Sequence, residues 1–371
     1  MIDQAIREAV ETKSLRLFSP ERPLLLECGT TLSEVSVVYE TYGTLNTEGT
    51  NAILICHALT ANAHAAGYHS PSDKRAGWWD GIIGPGKAFD TDHYYVVCPN
   101  ILGSCYGTSG PTSTNPLTGE RYGTTFPQIT VRDIVNVQKA VLDTLEIRRL
   151  ATVCGSSLGG MQVLEWGIMF PEFCSSIIPI STAAQQPAWC IGLNVAARKA
   201  IMNDPVWNNG LYGRQPSDGL ALARMIGMIS YRSIGEFEER FGRDRLLEGH
   251  PFTPDNLFQV ESYLRHHGEI FAERFDANTY LLLTRAMDAH DISIGRGDVR
   301  DVLASISPHA LIVAVSSDIR YPSYFQQALS EHIPGATYVE IDSIHGHDAF
   351  LIEFDKLNNS IHQFLLKGSS I

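Results

Sequence analysis

The sequence contains no Cys-x-x-Cys pair, no long unbroken apolar run and no excess of basic residues, and each absence removes a class of protein. Its seven cysteines, Cys28, Cys56, Cys98, Cys105, Cys154, Cys174 and Cys190, are scattered and odd in number. That pattern argues against a disulfide framework or a zinc cluster and suits a reducing cytoplasm. A membrane-spanning helix needs about 18 consecutive apolar residues, and no such run is found. Asp3, Glu8 and Glu11 stand where a signal peptide would need an apolar core, so export is not expected. Lys and Arg total 28 against 41 Asp and Glu, a formal net charge of −13. Such a field repels phosphate backbones and anionic lipid surfaces, which argues against nucleic acid and membrane partners. An anionic small molecule remains admissible if a few Arg or Lys are focused where it binds.

With 371 residues, 44 % of them hydrophobic, the chain can bury one large core. Buried-type β runs recur at Val35 to Tyr39, Ala52 to Cys56, Tyr94 to Cys98, Leu150 to Cys154 and Ser176 to Ile180. The spacing predicts a helix over Val131 to Leu145, with Thr130 and Asp133 as a capping box and Ile134, Val137, Val141, Leu142 and Leu145 as its apolar stripe. From about Ala183 to Arg300 strand-like runs give way to helical stretches, one of them opening at Thr253-Pro254 and carrying Val260, Leu264, Phe271 and Phe275. Strand texture returns at Leu311 to Ser316 and Thr337 to Ile341. The expectation is an α/β core of residues 1–182 and 301–371, a mostly parallel sheet flanked by helices, interrupted by a helical lid of residues 183–300.

Leu150 to Cys154 runs into Gly155-Ser156-Ser157-Leu158-Gly159, a G-x-S-x-G motif with a strand before it and a helix after it. In that setting the motif reads as the nucleophile elbow of the α/β-hydrolase fold, with Ser157 on a sharp turn above a helix N-terminus that favours developing negative charge. Ser156 is a rival by residue type, but only Ser157 holds the central position. The fold orders its triad Ser, acid, His, each after a later strand. Asp318 follows the apolar run ending at Val315, although an Asp after a strand is more commonly a turn cap. His345 and His347 both follow the run ending at Ile341, and spacing does not choose between them. An oxyanion hole would use the amide of Leu158 and one from the loop after the third core strand, placed at Leu59.

Other motifs compete for attention. Gly81 to Lys87, GIIGPGK, resembles the start of a P-loop, but Ala88 replaces the magnesium-binding hydroxyl and Trp78-Trp79-Asp80 precedes it instead of a buried strand. A structural turn is expected there. His57, His64 and His69 are close in sequence without an H-E-x-x-H pattern or an accompanying carboxylate, so no metal site is expected. Cys105 lacks an elbow.

Beyond the elbow, long segments resemble the homoserine O-acyltransferase family. They include HALTANAHAAG at His57 to Gly67, GWWDGIIGPGKAFDTD at Gly77 to Asp92, NILGSCYGTSGP at Asn100 to Pro111, GSSLGGMQ at Gly155 to Gln162, ARMIGMISYRS at Ala223 to Ser233, RFDANTYLLLTRAMD at Arg274 to Asp288 and GHDAFL at Gly346 to Leu351. The resemblance implies that His347 is the base and Asp318 orients it. It further implies that Arg224 grips the acceptor's carboxylate, Tyr231 lines the site and Asp348 holds the acceptor's ammonium, and that the lid helices form a homodimer. The implied reaction is ping-pong acyl transfer from an acyl-CoA co-substrate to L-homoserine, a step toward methionine, with no cofactor and no metal. This chain departs from the family at Ala61-Asn62, where Gly-Asp or Gly-Asn is common, and at Met228, where a His is common. The first departure bears on the oxyanion loop, since Ala tolerates positive φ poorly, and the second on the pocket rim.

A plain serine hydrolase would share the triad and need no acceptor. A non-catalytic protein of this fold would lack a triad member, and all three are present. Among donors, acetyl is expected over succinyl, which would want an additional cation near the acyl end. Among acceptors, homoserine is expected over serine, one methylene shorter, a difference a pocket discriminates by roughly 1–3 kcal/mol.

Overall fold

The computed structural model describes residues 9–247 and 256–368. Its strands are β1 (Lys13–Leu17), β2 (Leu24–Leu25), β3 (Thr31–Leu32), β4 (Val35–Tyr42), β5 (Ala52–Cys56), β6 (Tyr95–Pro99), β7 (Leu150–Ser156), β8 (Ser176–Ile180), β9 (His309–Val315) and β10 (Thr337–Ile341). Eight of them form a central sheet in the order β1-β4-β6-β5-β7-β8-β9-β10, and β2 and β3 make a separate ribbon. β1 pairs antiparallel with β4, and β4 antiparallel with β6; every other neighbouring pair in the sheet is parallel.

The central strands are buried along nearly their whole length and mostly apolar because both faces are covered. In β5, Ala52, Leu54 and Cys56 join Val163, Leu164 and Trp166 of α2 (Leu158–Met169) and Val135 and Leu142 of α1 (Val131–Thr144). Ile53 and Ile55 point the other way, into a cluster with Trp79, Phe89 and Phe350. α1 begins with the expected capping box, Thr130 with Asp133.

Between β8 and β9 the chain leaves the sheet for α3 (Ala188–Met202), α4 (Ser217–Tyr231), α5 (Ile234–Arg240), α6 (Gln259–Arg274) and α7 (Ala277–Asp288). These helices fill the segment expected to form a lid. Phe271, Leu281 and Leu282 from it share one apolar cluster with Leu158 and Met161 at the start of α2, so this segment is seated on α2. The expected helix start at Thr253-Pro254 lies outside the described residues; Val260, Leu264 and Phe271 lie on α6, and Phe275 is its C-cap. The expected boundary between residues 300 and 301 falls inside α8 (Val299–Ala304), whose Val302 and Leu303 pack with the sheet. α9 (Tyr324–His332) and α10 (Phe354–Gly368) complete the core.

Strand order reverses between β5 and β7, with β6 on the far side of β5 and β8 on the far side of β7. A crevice opens at such a switch point beyond the strands' C-terminal ends. The loop after β5 carries Leu59 and the turn after β7 carries Ser157, so both reach this crevice from adjacent strands.

Candidate active site

Ser157 has φ 57° and ψ −121°, a conformation costly for any residue with a Cβ. Its N–H donates to the Ile180 carbonyl at 3.0 Å, and its own carbonyl accepts from Met161 N–H at 3.1 Å and Thr182 Oγ1 at 3.1 Å. Those bonds hold the turn against its strain. Gly159 answers a separate steric demand. A Cβ there would lie 2.0 Å from the Cys56 carbonyl oxygen, so only glycine lets the elbow close on the end of β5. Leu158 is fully buried, and as the first residue of α2 its N–H has no partner within the helix.

The loop after β5 is fixed by a buried histidine. His57 Nε2 accepts the Ile101 N–H at 3.1 Å, which places the ring proton on Nδ1, where it donates to the Ala58 carbonyl at 2.8 Å. Ala61 does not appear among the described non-glycine residues with positive φ, so it takes the place of a glycine here without strain. Burial pushes the His57 ring down to about 4, the Ala58 carbonyl opposing that only in part. Burial lowers His290 to about 4 as well. The unfolded chain therefore binds these two protons first as pH falls, so stability declines from about pH 6.5 toward about pH 4. Urea titrations across that range check this, and His57→Gln flattens the decline.

His347 and Asp318 meet at 2.7 Å through Nδ1 and Oδ2, both nearly inaccessible to solvent. The other carboxylate oxygen, Oδ1, accepts the Arg320 and Tyr321 amides at 2.8 and 3.0 Å. Burial alone would raise the Asp318 carboxyl; the His347 ring and the two amides outweigh it and hold the group below its ordinary value. His345 is placed differently, half-exposed, with Nδ1 3.4 Å from Glu236. Of the two histidines that spacing left open, His347 is the one that reaches Asp318. Ser156 ends β7 with its hydroxyl buried and unpartnered.

Ser157 and His347 line one cavity of about 440 Å³, together with Leu59, Arg224, Tyr231 and Asp348. Arg224 lies over the rings of Tyr231 and Phe271, with centroids at 5.3 and 5.1 Å, and donates to Thr60 Oγ1 at 3.5 Å. Asp348 pairs with Arg232, Nε to Oδ2, at 3.3 Å. Burial raises the Asp348 carboxyl, and Arg232, Arg224 and His347 offset this only partly. The cavity therefore presents a cation and a carboxylate beside the Ser157 and His347 side chains. Arg274 and Arg75 also line it, so the acidic chain does concentrate positive charge here.

Several features escaped sequence reasoning. Arg320, two residues beyond Asp318, is 3 % exposed; it donates to Ser230 Oγ at 2.7 Å, stacks on Tyr231 at 5.1 Å, leaves its Nε unpartnered and makes no ion pair among the described residues. The loop bearing His347 is tied to the lid, Ser233 Oγ donating to the Ile344 carbonyl. At Gly346, φ is 64° and a Cβ would meet the Arg232 carbonyl carbon at 2.6 Å, so glycine is required for that contact. Met228 lies in a lid cluster with Phe241 and Tyr263 and not at the pocket rim, because its helix face turns inward. The GIIGPGK segment is a turn in which Lys87 binds Asp80. The expectation that no carboxylate accompanies the histidines is corrected: Glu40, on β4, binds both His64 and His69.

Residues 51–351 match the model of the alpha/beta hydrolase fold family. A protein of Deferribacter desulfuricans named homoserine O-acetyltransferase is 50 % identical over 347 residues, covering 92 % of each chain. One of the same name from Carboxydothermus hydrogenoformans is 48 % identical over 96 % of this chain and 95 % of its own. The crystal structure of homoserine O-acetyltransferase from Bacillus anthracis superposes with a TM-score of 0.90 at 31 % identity, covering 97 % and 98 % of the two chains. Esterase E22 is similar too, with a TM-score of 0.88 at 31 % identity over 96 % of this chain and all of that one. The elbow, the His347–Asp318 pair and this near full-length similarity place the chain in the homoserine O-acetyltransferase family of α/β-hydrolase-fold proteins.

Proposed function

We propose that this protein transfers an acetyl group from acetyl-CoA to the side-chain hydroxyl of L-homoserine, giving O-acetyl-L-homoserine and CoA. The observation that carries the reading is the single cavity in which Ser157 and His347 face Arg224 and Asp348. An esterase needs the first pair only; a zwitterionic acceptor needs the second as well. His347 takes the Ser157 proton as Oγ attacks the thioester carbonyl, and the Leu59 and Leu158 amides receive the oxyanion. The tetrahedral centre collapses, the C–S bond breaks, and His347 returns the proton to the departing CoA thiolate. Homoserine then binds with its carboxylate on Arg224 and its ammonium on Asp348. His347 removes the hydroxyl proton as that oxygen attacks the acyl-serine, the C–O bond to Ser157 breaks, and His347 returns the proton to Ser157 Oγ, which restores the enzyme. Arg75 and Arg274 give the anionic CoA a local cationic surface, and no resident cofactor is required. The lid excludes water from the acyl-serine, which is what separates transfer from hydrolysis.

The raised Asp348 carboxyl yields a prediction. Asp348→Asn removes a charge the folded protein disfavours, so stability at neutral pH stays level or rises, while KM for homoserine increases by at least about tenfold, the loss of one charge-assisted bond. Melting curves beside acceptor titrations separate the two effects.

The test supplies acetyl-CoA or succinyl-CoA, with and without L-homoserine or L-serine, and follows release of CoA thiol. Sustained turnover requiring homoserine with acetyl-CoA supports the leading reading. A preference for succinyl-CoA overturns the acetyl assignment, and turnover without any amino acid makes the protein a thioesterase.

Two further properties are part of the proposal. Trp189, Leu222, Ile229 and Ile234 are exposed apolar residues of α3, α4 and α5, and they support a homodimer through the lid. All seven cysteines are free, in keeping with a cytoplasmic location, and no helix among the described residues is long and apolar enough to cross a membrane.

A further inference from the structure

Glu40 is a carboxylate inside the protein, 1 % exposed, on β4 beside the core residue Tyr39. Two imidazoles converge on it: His64 Nδ1 lies 2.9 Å from Oε2 and His69 Nε2 lies 2.8 Å from Oε1. The two rings are only 3.9 Å apart, centroid to centroid. One carboxylate oxygen and the two ring nitrogens all lie within 4.8 Å of one another. Bonds of about 2.0–2.2 Å to a tetrahedral ion put neighbouring ligand atoms roughly 3.3 Å apart, so small side-chain adjustments bring the three donors onto one ion.

The surroundings have the character of a built site. Tyr42 donates to Glu40 Oε2 at 2.9 Å, and Thr12 donates to Oε1 at 2.9 Å, which fixes the carboxylate plane. The Tyr42 oxygen also accepts the Ala65 and Ala66 amides at 2.8 and 3.1 Å, tying the histidine loop to the same strand. His69 is open to solvent on one side, its side chain 44 % exposed, and offers an entry path. On the other side His64 forms part of the wall of the Ser157 cavity. Outer hydrogen bonds of this kind orient ligands.

We propose that Glu40, His64 and His69 bind a divalent transition-metal ion, Zn²⁺, Co²⁺ or Ni²⁺, through one carboxylate oxygen and two imidazole nitrogens, with water completing the shell. The donor set of imidazole and carboxylate selects this class over Ca²⁺ and Mg²⁺, which take oxygen. On binding, each neutral ring moves its proton from the coordinating nitrogen to the other, so no proton is lost overall. The ion stands apart from Ser157 and His347 and takes no part in acyl transfer; it pins the wall loop that carries His64.

The test uses the full chain, treated with chelator and dialysed, and Co²⁺ as the probe because its visible absorption reports inner-sphere ligands. Titration is expected to give one saturable site per chain with the absorption of a low-coordinate nitrogen and oxygen environment, displaced by Zn²⁺. His69→Ala, at the half-exposed ligand, is expected to weaken Co²⁺ binding by at least about tenfold and change the spectrum, with circular dichroism confirming the fold. His69→Gln serves if the alanine variant misfolds. Absence of saturable binding, or binding and spectra unchanged in both folded variants, overturns the proposal. The readout is spectroscopic, so it stands or falls separately from the acyltransferase reading.

Discussion

Replacing Ser157 with Ala lowers turnover by a factor on the order of 10⁵ to 10⁶ while leaving the melting temperature unchanged. The alanine keeps the Cβ, and with it the strained φ of 57°, and loses only the oxygen that attacks the thioester. Ser157→Gly is the sharper companion. It is equally inactive, but it relaxes a conformation that costs about 1–3 kcal/mol with a Cβ and returns part of that as chain entropy in the unfolded state. Its net gain in stability should be roughly 0.5–2 kcal/mol by urea unfolding. Thiol release with saturating acyl-CoA and homoserine measures the first effect. Residual turnover within tenfold of the parent would move the nucleophile elsewhere.

Asp318→Asn is the second large effect, a loss of about 10⁴ in kcat with KM little changed. Its cause can be traced atom by atom. Oδ1 accepts two backbone amides, so an asparagine must point its oxygen there and turn its NH₂ toward His347 Nδ1. That nitrogen must then be the acceptor, which moves the ring proton to Nε2, where the base should be empty. Asp318 itself stays ionised as pH falls through the ordinary carboxylate range, since its folded value is lowered. Its contribution to stability is present above the unfolded value near about 3.9 and disappears only as pH drops through the lower folded one. The acid limb of the rate profile in the parent should therefore not report Asp318. A profile for Asp318→Asn that merely shifts, without the drop in its plateau, would contradict the tautomer argument.

The parallel core was legible because its strands are buried on two faces and so read as unbroken apolar runs, β5 and β8 above all. β1 was not, since KSLRL places its charges on an exposed sheet edge and resembles a loop. Ser157 could be read from a local motif whose strand and helix lie next to it. Asp318 could be ranked by strand order, and His347 only by the resemblance, because both candidate histidines share one loop and differ in the carboxylate each reaches. Arg320 and Glu40 were invisible for a common reason. A charged residue in a loop or an alternating strand is expected to face water, and nothing local records that the fold has turned it inward.

The tie between Ser233 and Ile344, with the Gly346 contact beside it, makes the end of α4 and the base's loop one mechanical unit. A cover hinged at that edge could not swing aside without carrying His347 off Asp318. Any displacement of that edge is therefore felt at His347, so movement of the cover and alignment of the His347–Asp318 pair are coupled.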